Sequence, residues 1–176
     1  MNSKNSTSIE LSSVSTSLMA KSVIEGSSFT EEEAKAGIGL FLMDGSSIYG
    51  SNESNVAYFF TGNKWTASKP LRIAESKDAS LYAYYPYNEN VTDLKVIPLE
   101  SSVDGKDYLF GNAEVTAKNA GNVSLTMNHA LSRFKITLRK DVSYEGDCIL
   151  SEISIQPDIE GYIRTPKNPF PGLQRV

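Results

Sequence analysis

A thiol and an imidazole readily build a nucleophilic site, and this sequence carries one of each, Cys148 and His129. Such chemistry needs an accessible thiolate with its base in hydrogen-bond reach. Cys148 instead heads an apolar, strand-like run and reads as an inert, half-buried thiol, while His129 reads as a turn residue bonded to backbone. A single cysteine excludes an intrachain disulfide framework and any multi-cysteine zinc site. A single histidine leaves little for a metal centre built on imidazoles. Among the carboxylates, Glu31, Glu32 and Glu33 fall in the first turn of a short helix, where negative charge suits the helix dipole and solvates freely. Asp104 and Asp107 flank a glycine turn, but calcium asks for about six to eight oxygens and no EF-hand-like spacing is present. The sequence therefore assigns no catalytic, cofactor-binding or metal-ligating residue.

The most conspicuous local feature is aromatic: Tyr82, Tyr84, Tyr85 and Tyr87 around Ala83 and Pro86. Alternation puts Tyr82 and Tyr84 on one strand face and Leu81, Ala83 and Tyr85 on the other. An aromatic face with hydroxyls at its rim can stack on sugars, which makes Tyr82 and Tyr84 the candidate ligand platform of a surface carbohydrate-binding module. The favoured reading is packing on both sides of the strand, the routine use of tyrosine in sheets. Four Asn-x-Ser/Thr patterns, at Asn5, Asn52, Asn90 and Asn122, are what chance supplies in a chain rich in asparagine and serine.

The elements that position these residues are strands. Val123, Leu125 and Met127 alternate with polar residues, as do Phe134, Ile136 and Leu138; Ile149, Ile153 and Ile155 share a third face. The apolar face is odd-numbered up to Met127 and even-numbered from Phe134, so a bulge or turn is expected at residues 129–132. Continuous apolar runs at 38–43 and 56–60 predict strands covered on both sides, and Gly62 and Asn63 predict a hairpin turn. Helical signal is confined to one or two turns from Thr30, ending by Gly37. Roughly seven to ten short strands at turn-punctuated intervals describe an all-β sandwich.

The 176 residues suffice for one core, and 17 basic against 21 acidic side chains give a net charge of −4. Without a basic run the chain lacks the footprint of a nucleic-acid binder. No stretch approaches the ~20 apolar residues that span a bilayer, and the N-terminus has no hydrophobic leader core. Serine is in excess: 24 in all, ten of them in the first 28 positions. Two readings remain, a cytosolic protein or an exported protein whose leader lies outside this chain; that front and the single cysteine favour the second.

Taken in order, several segments resemble one family. A Ser/Thr-rich opening strand carries Ile9 and Leu11, and a basic residue precedes Val23, Ile24, Glu25, Gly26 and Phe29. The apolar strand from Ile38 follows, then Asn63-Lys64-Trp65, then the tyrosine strand ending in Pro86-Tyr87, then Asp107-Tyr108-Leu109-Phe110. His129-Ala130-Leu131-Ser132 finally leads into an alternating strand. This set is similar to the fimbrillin family of Bacteroidales, the subunits and anchor-type proteins of surface fimbriae, over residues 8–160.

The resemblance implies an exported lipoprotein with transthyretin-like, Greek-key β-sandwich domains, held at the outer membrane of a Gram-negative bacterium by a lipid anchor absent from this chain. It implies no enzymatic activity and no cofactor. It also implies proteolytic removal of an N-terminal strand, opening a groove that a neighbouring subunit's strand fills. On this sequence the removable arm is residues 1–21, with Lys21-Ser22 as the processing candidate in place of the family's usual arginine. Ile9 and Leu11 are the strand-exchange candidates. The sandwich is residues 22–160, and residues 161–176 form a proline-rich linker or the start of a second domain. The expected partners are other fimbrial subunits and surface glycans or proteins, with no nucleic acid.

Overall fold

The computed structural model describes residues 6–16, 29, 31–50, 54–61, 63–98, 107–130, 136–143, 145–147, 149–153 and 162–163. Among them, twelve short strands accompany one brief helix and one 3₁₀ turn. The strands are β1 (Ser6–Ser8), β2 (Leu11–Thr16), β3 (Ile38–Asp44), β4 (Ser47–Ile48), β5 (Val56–Thr61) and β6 (Lys64–Ala67). They continue with β7 (Arg72–Ala74), β8 (Ala79–Tyr85), β9 (Ile97–Pro98), β10 (Leu109–Val115), β11 (Val123–His129) and β12 (Tyr162–Ile163). Helix α1 (Glu31–Lys35) is the short helix foreseen in the sequence; Gly37, at φ +70°, ends it by donating its N–H to Ala34 O.

One sheet dominates, with the strand order β2-β11-β10-β8-β3-β5-β6 and β4 appended to β3. Its ladders are antiparallel except that β2 runs parallel to β11. The two ends of the path, β2 and β6, approach each other without ladder bonds, so the sheet curls into a nearly closed barrel-like sandwich. Two small pairs, β1 with β7 and β12 with β9, finish the fold. The all-β expectation holds.

The alternation read from the sequence divides the apolar side chains into two cores. Leu40, Leu42, Tyr58, Leu81, Ala83, Tyr85, Leu109, Leu125 and Met127 fill the interior. On the opposite face of β3 and β8, Phe41, Met43, Tyr82 and Tyr84 pack beneath Val91 and Leu94 of the connection from β8 to β9 and Ile97 of β9 itself. The runs at 38–43 and 56–58 are continuous because both of their faces are covered. The hairpin also forms as expected: β5 pairs with β6 down to Thr61 opposite Lys64, which leaves a two-residue turn.

Two expected strands do not form. Residues 136–140 and 149–153 lie in no ladder, and Ile136, Leu138, Ile149 and Ile153 are exposed; Phe134 and Ile155 lie outside the described residues. Alternation fixes which face of a strand is apolar, but pairing also needs a neighbouring edge. The two ends of the sheet face each other, and β11 already has a partner on each side. The expected phase break is present in part: β11 stops at His129 and Ala130 bends away, its N–H donating to Tyr108 O. The remainder of that break, and the turn expected around Asp104 and Gly105, lie outside the described residues.

The packing of β3 on β8 leaves no room at Gly39, whose register partner is Tyr84. A β-carbon there would enter the Tyr84 ring. The Gly39→Ala variant should therefore lose about 1–3 kcal/mol of stability, read from the midpoint of urea unfolding.

Candidate functional site: the first strand and its groove

The N-terminal segment is woven into the sheet by main-chain bonds. β1 pairs with β7 from Ser6 opposite Ala74 to Ser8 opposite Arg72. The chain then crosses to the main sheet: Ile9 N–H donates to Leu71 O at 2.9 Å, and Glu10 N–H donates to Ala120 O at 2.7 Å. Val123 N–H donates in turn to Glu10 O at 2.9 Å, and β2 continues in parallel along β11. The register jumps from Leu11 opposite Val123 to Ser13 opposite Ser124, so Ser12 is the extra residue of a bulge. Its hydroxyl stays useful, lying 3.2 Å from Val123 O and 3.3 Å from Ser124 Oγ; Ser15 and Thr126 form a second hydroxyl pair.

The bulge explains which side chains point inward. Ile9 and Leu11 are two apart and both buried; the next buried residue, Val14, is three further on because Ser12 is looped out. Thr16 then resumes the two-residue period. Ile9 and Leu11, the strand-exchange candidates, are thus both core residues. Val14 and Thr16 escaped the sequence reading because a bulge hides from strict alternation, although the spacing two-then-three was there to be read. Full burial of an isoleucine, a leucine and a valine supplies roughly 5–9 kcal/mol of gross transfer free energy, from which the ordering of the segment must be subtracted. The serines between them cost little to expose and make few demands on the strand.

Tyr58 of β5 touches this segment from beneath. It is 1% exposed, and its hydroxyl donates to Ile9 O at 3.0 Å. Burial, reinforced by the Glu10 carboxylate, pushes the phenol far above its ordinary range, so it remains a donor at any physiological pH.

The other candidate residues are used for packing or pairing. Tyr82 and Tyr84 are 6% and 1% exposed beneath Val91, Leu94 and Ile97, and offer no open ring face for stacking on a sugar. The Tyr84 hydroxyl lies 2.6 Å from Asn55 Oδ1 and 2.9 Å from Asn88 O, and accepts from Asn88 N–H. His129 is a buried strand residue rather than an open turn residue, with Nδ1 2.9 Å from Asp107 Oδ2. That pairing uses the Asp107 carboxylate in the fold, and among the described residues no cluster of three or more His, Cys, Asp or Glu side chains could hold a metal. Cys148, Asp104 and the processing candidate Lys21-Ser22 lie outside the described residues.

A family profile described as fimbrillin-like matches residues 27–156. The chain belongs to the fimbrillin-like family. β1 and β2 precede the matched region. Among solved structures, the fold is similar to that of a Bacteroides uniformis protein assigned to cell adhesion, with a TM-score of 0.51 and 20% identity. That likeness covers 71% of this chain and 49% of the other, so the fimbrillin-like chain spans about half the length of its neighbour. A fimbrial protein from Bacteroides ovatus aligns with a TM-score of 0.45 and 20% identity, over 70% of this chain and 28% of that one. No curated protein matches the sequence.

Three interior tyrosines give a pH signature. Desolvation pushes the phenols of Tyr84 and Tyr85 up to about 12, with a smaller contribution at Tyr85 from Glu33 and Asp107, and Tyr58 lies higher still. A folded-state value above the unfolded one, near 10, favours the protonated group in the fold. This stabilisation is complete below pH ~10 and is lost as the pH climbs through ~12. The urea midpoint should fall over that window. In a tyrosinate absorbance titration the folded chain should keep these three rings protonated where the unfolded chain ionises all nine tyrosines.

Proposed function

We propose that the chain is a fimbrial structural or accessory subunit at the surface of a Gram-negative bacterium, joined to its neighbours by β-strand exchange and contributing to adhesion. The observation that carries this reading is the placement of the first strand. β2 lies at one end of the sheet path, parallel to β11, its ladder partner among the described residues, and together with Ile9 just before it places Ile9, Leu11 and Val14 in the core. Removing it would uncover a groove between β11 and β6, floored by interior residues such as Leu71, Tyr58, Trp65 and Leu125. A sheet edge with an apolar floor is what strand addition requires: main-chain bonds give affinity and alternate side chains give specificity.

In this reading residues 1–21 are the removable arm and residues 22–160 the sandwich, to which β12 adds its short pair with β9; the rest of residues 161–176 is a linker or the beginning of a second domain. Lys21 follows Thr16, the last residue of β2, by five positions, so a cut at Lys21-Ser22 would free the whole arm. The partners are other fimbrial subunits, and attachment to the outer membrane runs through a lipid anchor. Glycan binding at Tyr82 and Tyr84 gains no support from rings buried beneath Val91 and Leu94.

Limited trypsin treatment of the full chain, followed by SDS gels with and without boiling, tests the proposal. Cutting at Lys21 should produce multimers that survive SDS and collapse to single subunits on boiling. The Lys21→Gln chain should remain monomeric under the same treatment. A chain cut at Lys21 that runs only as monomer overturns the strand-exchange reading.

A further inference from the structure

Besides the main-chain groups along its edge, the groove under the N-terminal segment contains a buried side-chain hydroxyl whose hydrogen-bond acceptor comes from that segment. The Tyr58 hydroxyl donates to Ile9 O, and it makes no other hydrogen bond among the described residues. Its ring is embedded in the interior with Val56, Ile38 and Leu40 of the neighbouring strand positions, and its hydroxyl sits under the point where the arm crosses from β7 to β11. Side-chain pockets exclude a slip by one residue, but they accept any apolar residue of suitable size and leave slips by two less strongly opposed. A buried donor is more demanding: left without an acceptor, it costs the full desolvation of the hydroxyl.

We infer that Tyr58 is the specificity-determining residue of the strand-exchange site: its hydroxyl requires a main-chain carbonyl from whatever strand fills the groove, at the place now held by Ile9. This deepens the proposed function and rests on it as far as incoming strands are concerned. The requirement itself is already in force for the chain's own arm. Together with the bulge at Ser12, it defines the occupant. That strand runs parallel to β11 and carries apolar side chains at positions i, i+2 and i+5, those of Ile9, Leu11 and Val14. The carbonyl of residue i rests on Tyr58, while residue i+1 exchanges main-chain bonds with Ala120 and Val123. Because the hydroxyl reads backbone rather than side chain, it fixes where the strand starts without restricting which residue stands there. The phenol stays protonated under all ordinary conditions, so the requirement is permanent.

The test uses the full chain with residues 17–21 replaced by the recognition sequence of a site-specific protease. After the cut, the arm is held only by non-covalent contacts. Two synthetic arms covering residues 1–16 then compete for the groove. One carries an ester in place of the Ile9–Glu10 amide, which removes the N–H and keeps a carbonyl. The other carries an alkene there, which removes both. The wild-type chain should bind the ester arm at least about fivefold more tightly than the alkene arm, and in Tyr58→Phe that preference should shrink to about twofold or less. Equal binding of the two arms by the wild-type chain overturns the inference, and this arm of the experiment stands even where the phenylalanine chain fails to fold. A preference that persists unchanged in Tyr58→Phe overturns it as well. A purely structural role would weaken both arms together and leave their ratio intact. Since the cut is made by a separate protease, absence of multimers after trypsin treatment would count against strand exchange while leaving this measurement intact.

Discussion

A sheet rolled until its ends nearly meet must still do something with the last gap, and this fold fills it with the first strand. β2 supplies β11 with a parallel neighbour and, with Ile9 just ahead of it, turns three aliphatic side chains inward. Everything interior on that side depends on the seam being filled. Leu125, Leu71, Ile73 and Tyr58 are buried because the segment from Ile9 to Thr16 lies among them. The segment itself is held lightly for something so central: three aliphatic anchors, a row of small hydroxyl side chains and one bulge. Anchors of that kind give register without much adhesive surface.

The same economy appears on β8. Its seven residues face two cores at once, Leu81, Ala83 and Tyr85 inward and Tyr82 and Tyr84 outward beneath the connection to β9. A tyrosine is well suited to the second position, since its ring packs while its hydroxyl ties down irregular backbone. Tyr84 does this with Asn55 and Asn88, two residues that would otherwise leave polar groups under an apolar cover. Asn55 adopts φ +46°, a left-handed conformation that asparagine tolerates, and its amide also reaches Asn88 O. The aromatic run is thus scaffolding for the strands that carry the arm.

Much of this was legible in the order of residues. Periods of two located β8 and β11, uninterrupted apolar runs located β3 and β5, and Gly62 with Asn63 located the hairpin. The same rule over-reached at residues 136–140 and 149–153, where Ile136 and Ile149 sit in strand-like patterns but are exposed and lie in no ladder. Local pattern records what a segment could do; pairing depends on geometry set elsewhere. At the groove, Ile9 and Leu11 were readable, Val14 was obscured by the looped-out Ser12, and Tyr58 was invisible. Its role rests on a backbone carbonyl 49 residues away, and no side-chain pattern encodes a carbonyl. His129 shows the converse: a residue type associated with chemistry was spent on a buried pairing with Asp107 that joins the approach to β10 to the end of β11.

The parallel pairing of β2 with β11 has a consequence for the order of events in the life of the chain. Ser12 and Val123 are 111 residues apart, so β2 has no ladder partner until β11 has been made, although β1 can pair with β7 well before that. Contacts of such long range are slow to form, because loop closure precedes any reward. β2 therefore reaches its place only after most of the sheet exists, and until then the seam that it fills stands open.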